Sequence, residues 1–98
     1  MEIRKTTQYQ EWFDALRDGM VKARINQRVF RLSLGNPGQH RVLTGGVMEM
    51  KLDFGPGYRV YCTQRGAVLT VLLIGGDKSS QQSDIEVALA LAKEIAEG

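Results

Sequence analysis

The stretch VMEMKLDFGPGYRVYCTQRGAVLTVLLI, residues 47–74, decides the fold. From 47 to 54 it alternates, with Met48, Met50, Leu52 and Phe54 on one side and Glu49, Lys51 and Asp53 on the other. A period of two marks a strand with one buried face. Gly55-Pro56-Gly57 breaks the run, since proline lacks a ladder donor and glycine accepts turn conformations. RVYCTQ (59–64) resumes the alternation, with Val60 and Cys62 pointing one way and Arg59, Tyr61 and Thr63 the other. Arg65-Gly66 reads as a tight hairpin turn, and AVLTVLLI (67–74) is apolar at both parities, as in a strand covered on two faces. Three antiparallel strands in a meander follow.

Loop parity then decides where the polar residues go. An odd loop, 54–58, puts the polar sets of the first two strands on one surface. Pairing Lys51 with Tyr61 sets Glu49 opposite Thr63 and Asp53 opposite Arg59. An even loop would leave Arg59 beside Leu52, a mismatch for one of them. Arg59, following Tyr58 and preceding Tyr61, thus belongs either to a solvated strand face or to a surface that handles an anion.

Outward from this core, MEIRKT (1–6) reads as a short strand. Thr7 and Gln10 have capping-box spacing, and Tyr9, Trp12, Phe13 and Leu16 form one helical face. Asp18-Gly19 stops that helix, with glycine in the left-handed position. A second helix, Met20 to Leu34, turns Val21, Ile25, Val29 and Leu32 inward and ends at Gly35 before the turn Asn36-Pro37-Gly38. Its outer stripe of Arg24, Arg28 and Arg31 is a solvated face or a contact for phosphates or an acidic partner. SDIEVALALAKEIAEG, from Ser83, is a third helix with Ser83 and Glu86 at capping-box spacing. The fold class is α+β: a short N-terminal strand, two helices, a three-strand antiparallel meander and a C-terminal helix.

Composition narrows the classes. Ninety-eight residues, 43% hydrophobic and 24% charged, make one soluble domain with one core. The single cysteine, Cys62, excludes an internal disulfide and fits a reducing, cytoplasmic setting. MEIRKTTQYQEW lacks the apolar core of a signal peptide, and no stretch approaches the roughly 20 apolar residues of a membrane span. A net charge of +2 is a weak global pull on nucleic acid, so local patches decide. No cysteine–histidine pair, metal cluster, Walker loop or GxGxxG is present, and the lone His40 follows a turn. GGDKSSQQSDI (75–85) carries Asp77, Lys78, Gln81 and Asp84 to a helix start, where free amides favour anions. A plain strand-to-helix loop with caps is the simpler account of it.

Together, GNPG (35–38), GVMEMKLDFGPGYRVY (46–61) and LLIGGDKSSQQSDIEVA (72–88) resemble addiction-module killer proteins of the RelE/ParE toxin superfamily, in the branch near HigB-type toxins. The resemblance covers nearly the whole chain and implies a single toxin domain, 1–98. It implies a bacterial toxin restrained by a co-encoded antitoxin, a helix-turn-helix protein. RelE-like members cleave mRNA in the ribosomal A site, without metal or cofactor. In those enzymes the arginine of the Gly-Tyr-Arg strand, here Arg59, contacts the scissile phosphate, and a basic residue after the last strand's glycine corresponds to Lys78. The family's two strand lysines fall on Glu49 and Lys51, of which only Lys51 keeps the charge; a tyrosine of some members falls on Asp84.

The candidate catalytic set is therefore Arg59, Lys78, Glu49, Lys51 and Asp84, with Glu49 as general base and Asp84 in reserve. Tyr61, Arg24, Arg28, Arg31, Asp77 and Gln81 are the candidate RNA-binding residues. The expected partners are the antitoxin, the ribosome and mRNA, with no membrane. The alternative is a ParE-like inhibitor of DNA gyrase, whose relatives generally lack the basic set. A non-catalytic binding protein is the third class.

Overall fold

The computed structural model describes residues 1–98. The strands are β1 (Glu2–Lys5), β2 (His40–Val42), β3 (Val47–Lys51), β4 (Arg59–Arg65) and β5 (Leu69–Gly76). The helices are α1 (Thr7–Ala15), α2 (Gly19–Ser33) and α3 (Gln81–Glu97). No helix is long and apolar enough to cross a membrane. The α+β class holds, but the sheet differs from a three-strand meander. It has five strands in the order β1-β5-β4-β3-β2, and it is mixed, because β1 runs parallel to β5. Helices α1 and α2 carry the chain from β1 at one edge to β2 at the other. The antiparallel run β2-β3-β4-β5 then brings β5 back beside β1 in the same direction, which makes that pair parallel. β2 escapes sequence reading because its three residues are all exposed and show no buried alternation.

The two faces of the sheet carry separate cores. Tyr9, Ile25, Val29 and Leu32 of α1 and α2 pack on Met50, Leu52, Val60, Cys62 and Leu72. On the other face, Ala88 and Ala92 of α3 pack on Val47, Tyr61, Val71 and Leu73. Alternation in β3 and β4 therefore sorts residues between two buried layers, so the polar side of β4 is not solvated: Arg59, Tyr61 and Thr63 are all buried. Burial pushes the Cys62 thiol up to about 12, leaving a protonated core sulfur.

The β3–β4 register keeps the expected parity but is displaced by two residues. Glu49 faces Tyr61 and Lys51 faces Arg59. Asp53 leaves the ladder because Leu52 N–H already bonds Tyr58 O (2.9 Å) and Phe54 N–H turns back to Leu52 O (2.9 Å). Gly55 and Gly57 hold positive φ in this loop, at 58° and 80°. The β4–β5 connection is likewise the three residues 66–68, with Arg65 paired to Leu69.

A bulge in β5 reorients the end of the sheet. Tyr61 pairs with Ile74 and Cys62 with Leu72, so Leu73 is the extra residue. Its carbonyl accepts a hydrogen bond from Thr6 Oγ1 (2.6 Å), which also accepts from Tyr9 N–H (3.0 Å) to cap α1. Thr6, rather than Thr7, is thus the cap. Asp18 caps α2 through Met20 N–H, and Gly19 is helical rather than a left-handed stop. Gly35 does end α2 at φ 91°, in a Schellman arrangement with Asn36 N–H on Arg31 O and Gly35 N–H on Leu32 O. α3 begins at Gln81, ahead of the Ser83 start, after a 3-10 turn whose capping box is Asp77–Ser80.

Gly75 and Gly76 lie within β5 and have ordinary strand backbone; close approach is what requires glycine there. A Cβ on Gly75 would collide with the Trp12 ring, and one on Gly76 with the Asp84 carboxylate. Gly75→Ala is expected to cost about 1–3 kcal/mol through overpacking. Gly19→Ala, with nothing within 4 Å of the new methyl, should gain roughly 0.4–1 kcal/mol. Urea denaturation of the two variants beside the parent protein checks both signs.

Candidate functional site

The parity of β3 and β4 delivers Glu49, Lys51, Arg59 and Tyr61 to the α3 face of the sheet, with Tyr61 packed beneath the helix in its alanine-lined core. Glu49 is at its centre. Its carboxylate accepts from Arg41 Nε (2.8 Å), Tyr61 OH (2.8 Å) and Gln81 Nε2 (3.1 Å). Strands β2 and β4 and the first residue of α3 thus meet at one side chain of β3. Burial pushes the Glu49 carboxyl up, but bonds from Arg41, Tyr61 and Gln81, with the Arg41 charge, outweigh it and leave it below its ordinary range. The Tyr61 phenol is raised by burial and by donating to this anion.

Arg59 is 7% exposed. Its Nη1 donates to Gly57 O (2.7 Å), and its Nε lies 3.9 Å from Glu49 Oε2 without a hydrogen bond. Buried polar nitrogens are rarely left so, and the exceptions mark strain or function. Gly57 also brings Lys78 near: a Cβ there would stand 3.3 Å from Arg59 Nη1 and 3.4 Å from the Lys78 Cβ. Lys78 N–H bonds Pro56 O (3.3 Å), tying the turn before α3 to the β3–β4 loop, while its side chain is exposed. Asp84 Oδ2 accepts from Ser80 Oγ (2.5 Å) beside Gly76. Asp77 is occupied as the cap, bonded by the Ser79 hydroxyl (2.5 Å) and backbone (2.8 Å), and those bonds hold its carboxyl below the usual range.

Arg59, Lys78, Glu49, Lys51, Asp84, Tyr61, Asp77 and Gln81 therefore share one region. Tyr61 is fully enclosed, with no ring face open for stacking. The arginines of α2 lie across the sheet, with the other core. Arg28 is a structural clamp, donating to Lys51 O (2.8 Å), Pro37 O (3.0 Å) and Gln39 O (3.1 Å). Arg24 lies 5.0 Å from the Phe54 ring centre, and Arg31 is exposed. Sequence reasoning missed Arg41. A hairpin reading of Thr44-Gly45-Gly46, closed by Leu43 N–H on Val47 O, would have set it opposite Glu49.

No protein-family model matches the chain. It is 41% identical over 95 residues to the "Uncharacterized protein" of Haemophilus influenzae (strain Rd), covering 97% of this chain and 96% of that one. The chain belongs to that protein's family. The shared span takes in the entire region around Glu49, so the site lies within a common domain rather than an appended segment.

Because folded Glu49 binds its proton less tightly than the unfolded chain does, its stabilisation is whole above the ordinary value of 4.5 and is lost as pH falls through the depressed folded value. Glu49→Gln should flatten the pH dependence of the urea midpoint in that acid window. Glu49→Ala, which strands Arg59, should cost roughly 3 kcal/mol at neutral pH. A parent-like acid profile in Glu49→Gln would contradict the assignment.

Proposed function

We propose that this protein is the toxin of a toxin–antitoxin pair and acts as a metal-independent, ribosome-dependent mRNA endonuclease. The observation that carries the reading is Arg59: a nearly buried guanidinium, fixed through Nη1 on Gly57 and unpartnered at Nε, beside the exposed Lys78. The resemblance of the 35–88 segments to RelE/ParE toxins supplies the substrate class, and with it the antitoxin and the ribosome as partners.

Strand scission by this route needs the 2′-hydroxyl oxygen to attack phosphorus while the bond to the 5′-oxygen breaks. The products are a 2′,3′-cyclic phosphate and a 5′-hydroxyl. Arg59 stabilises the phosphorane oxygens, a contribution worth about 3–4 kcal/mol for one preorganised donor. Lys78 adds charge and returns a proton to the leaving 5′-oxygen. Glu49 is a poor general base, since hydrogen bonds and a neighbouring cation stabilise its ionised form. It serves instead to position Arg59, and Asp84, with Oδ1 free of donors, takes the proton of the 2′-hydroxyl.

Expression of the parent protein should halt translation and produce new mRNA 5′ ends inside translated codons, mapped by primer extension. Lys78→Ala, on an exposed side chain, should stay folded and lower cutting about tenfold or more. Arg59→Lys, which keeps the charge and loses the fork, should lower it about 10²-fold. Intact mRNA accompanied by double-strand DNA breaks would instead establish gyrase inhibition.

A further inference from the structure

Arg41 and Lys51 flank a pocket of about 150 Å³ lined only by polar residues: Gln39, His40, Arg41, Glu49 and Lys51. It opens beside the Arg59 site, because Lys51 is the direct cross-strand neighbour of Arg59. Its floor is rigid. Arg28 holds the backbone carbonyls of Gln39 and Lys51 from the far side of the sheet, and Lys51 N–H bonds Gln39 O (3.0 Å).

Arg41 is the unusual member. It is exposed, with 58% of its side chain accessible, yet its Nε is bonded to a carboxylate that is itself buried and held by Tyr61 and Gln81. An exposed arginine ordinarily samples many rotamers. Here the anchored Nε fixes the guanidinium plane, while Nη1 and Nη2 make no hydrogen bond within the protein. Those two nitrogens form the edge that grips two oxygens of one phosphate. Lys51, half-buried in the same pocket, supplies a second positive charge.

We propose that this pocket is a second phosphate subsite, which holds a backbone phosphate of the nucleic-acid strand next to the one at Arg59. Glu49 is then a positioning residue for both arginines. The subsite rests on the endonuclease reading for its ligand, a single-stranded RNA.

Fluorescence anisotropy with a labelled 2′-O-methyl hexaribonucleotide, which lacks the attacking hydroxyl, tests it directly. Each phosphate contact on a single strand contributes about 0.7 to the slope of log K against log salt. Arg41→Ala should make the slope shallower by about 0.7 and weaken low-salt binding roughly three- to tenfold. Arg41→Lys should keep the slope and lose part of the affinity. Should Arg41→Ala fail to fold by circular dichroism, Lys51→Ala carries the same expected slope change. Parental slope and affinity in the folded variants, alongside weakening by Lys78→Ala, would overturn the subsite and leave the Arg59 site standing. Absence of salt-dependent binding by the parent protein would overturn both.

Discussion

One buried carboxylate organises the α3 face of the sheet. Glu49 accepts hydrogen bonds from Arg41, Tyr61 and Gln81 and stands 3.9 Å from Arg59. A buried anion is tolerated only when its lone pairs are satisfied and a cation is near. Here that requirement fixes the edge strand β2, the centre of β4 and the start of α3 relative to β3. The same arrangement keeps Glu49 ionised, so it anchors cations more readily than it accepts a proton.

The remaining constraints act through backbone proximity. The Leu73 bulge sets Gly75 under Trp12 and Gly76 beside Asp84, which brings the start of α3 down onto the strand ends. Gly57 then closes the gap between Arg59 and Lys78. The result is a row of cations, Arg41, Lys51, Arg59 and Lys78, with the carboxylates of Glu49, Asp77 and Asp84 beside it. In the endonuclease reading, that row follows a phosphate backbone, and the enclosed Tyr61 supports it from beneath.

Much of this was legible in the residue order. Alternation in 47–54 and 59–64 correctly sorted Glu49, Lys51, Arg59 and Tyr61 to one side, because side-chain period is a local property of a strand. Register was displaced by two residues because it depends on where the turn begins, and Leu52 pairs before the Gly-Pro-Gly is reached. The bulge at Leu73 leaves no local signal in an apolar run. β2 is too short and exposed to show periodicity, so Arg41 and its pocket went unseen with it. The arginines of α2 read as one outer stripe, but Arg28 turns in to clamp the carbonyls of Pro37, Gln39 and Lys51, a tertiary contact that helical spacing does not show.

The central claim, that the Arg59 region cuts RNA on the ribosome, meets its most direct test in a reconstituted reaction. Purified protein would be added to an end-labelled mRNA, free or threaded on ribosomes stalled with a known codon in the A site. The account predicts a single cut within that codon, dependent on the ribosomes and yielding a 2′,3′-cyclic phosphate end. Ribosome-bound mRNA that stays whole at protein in excess of ribosomes would contradict it.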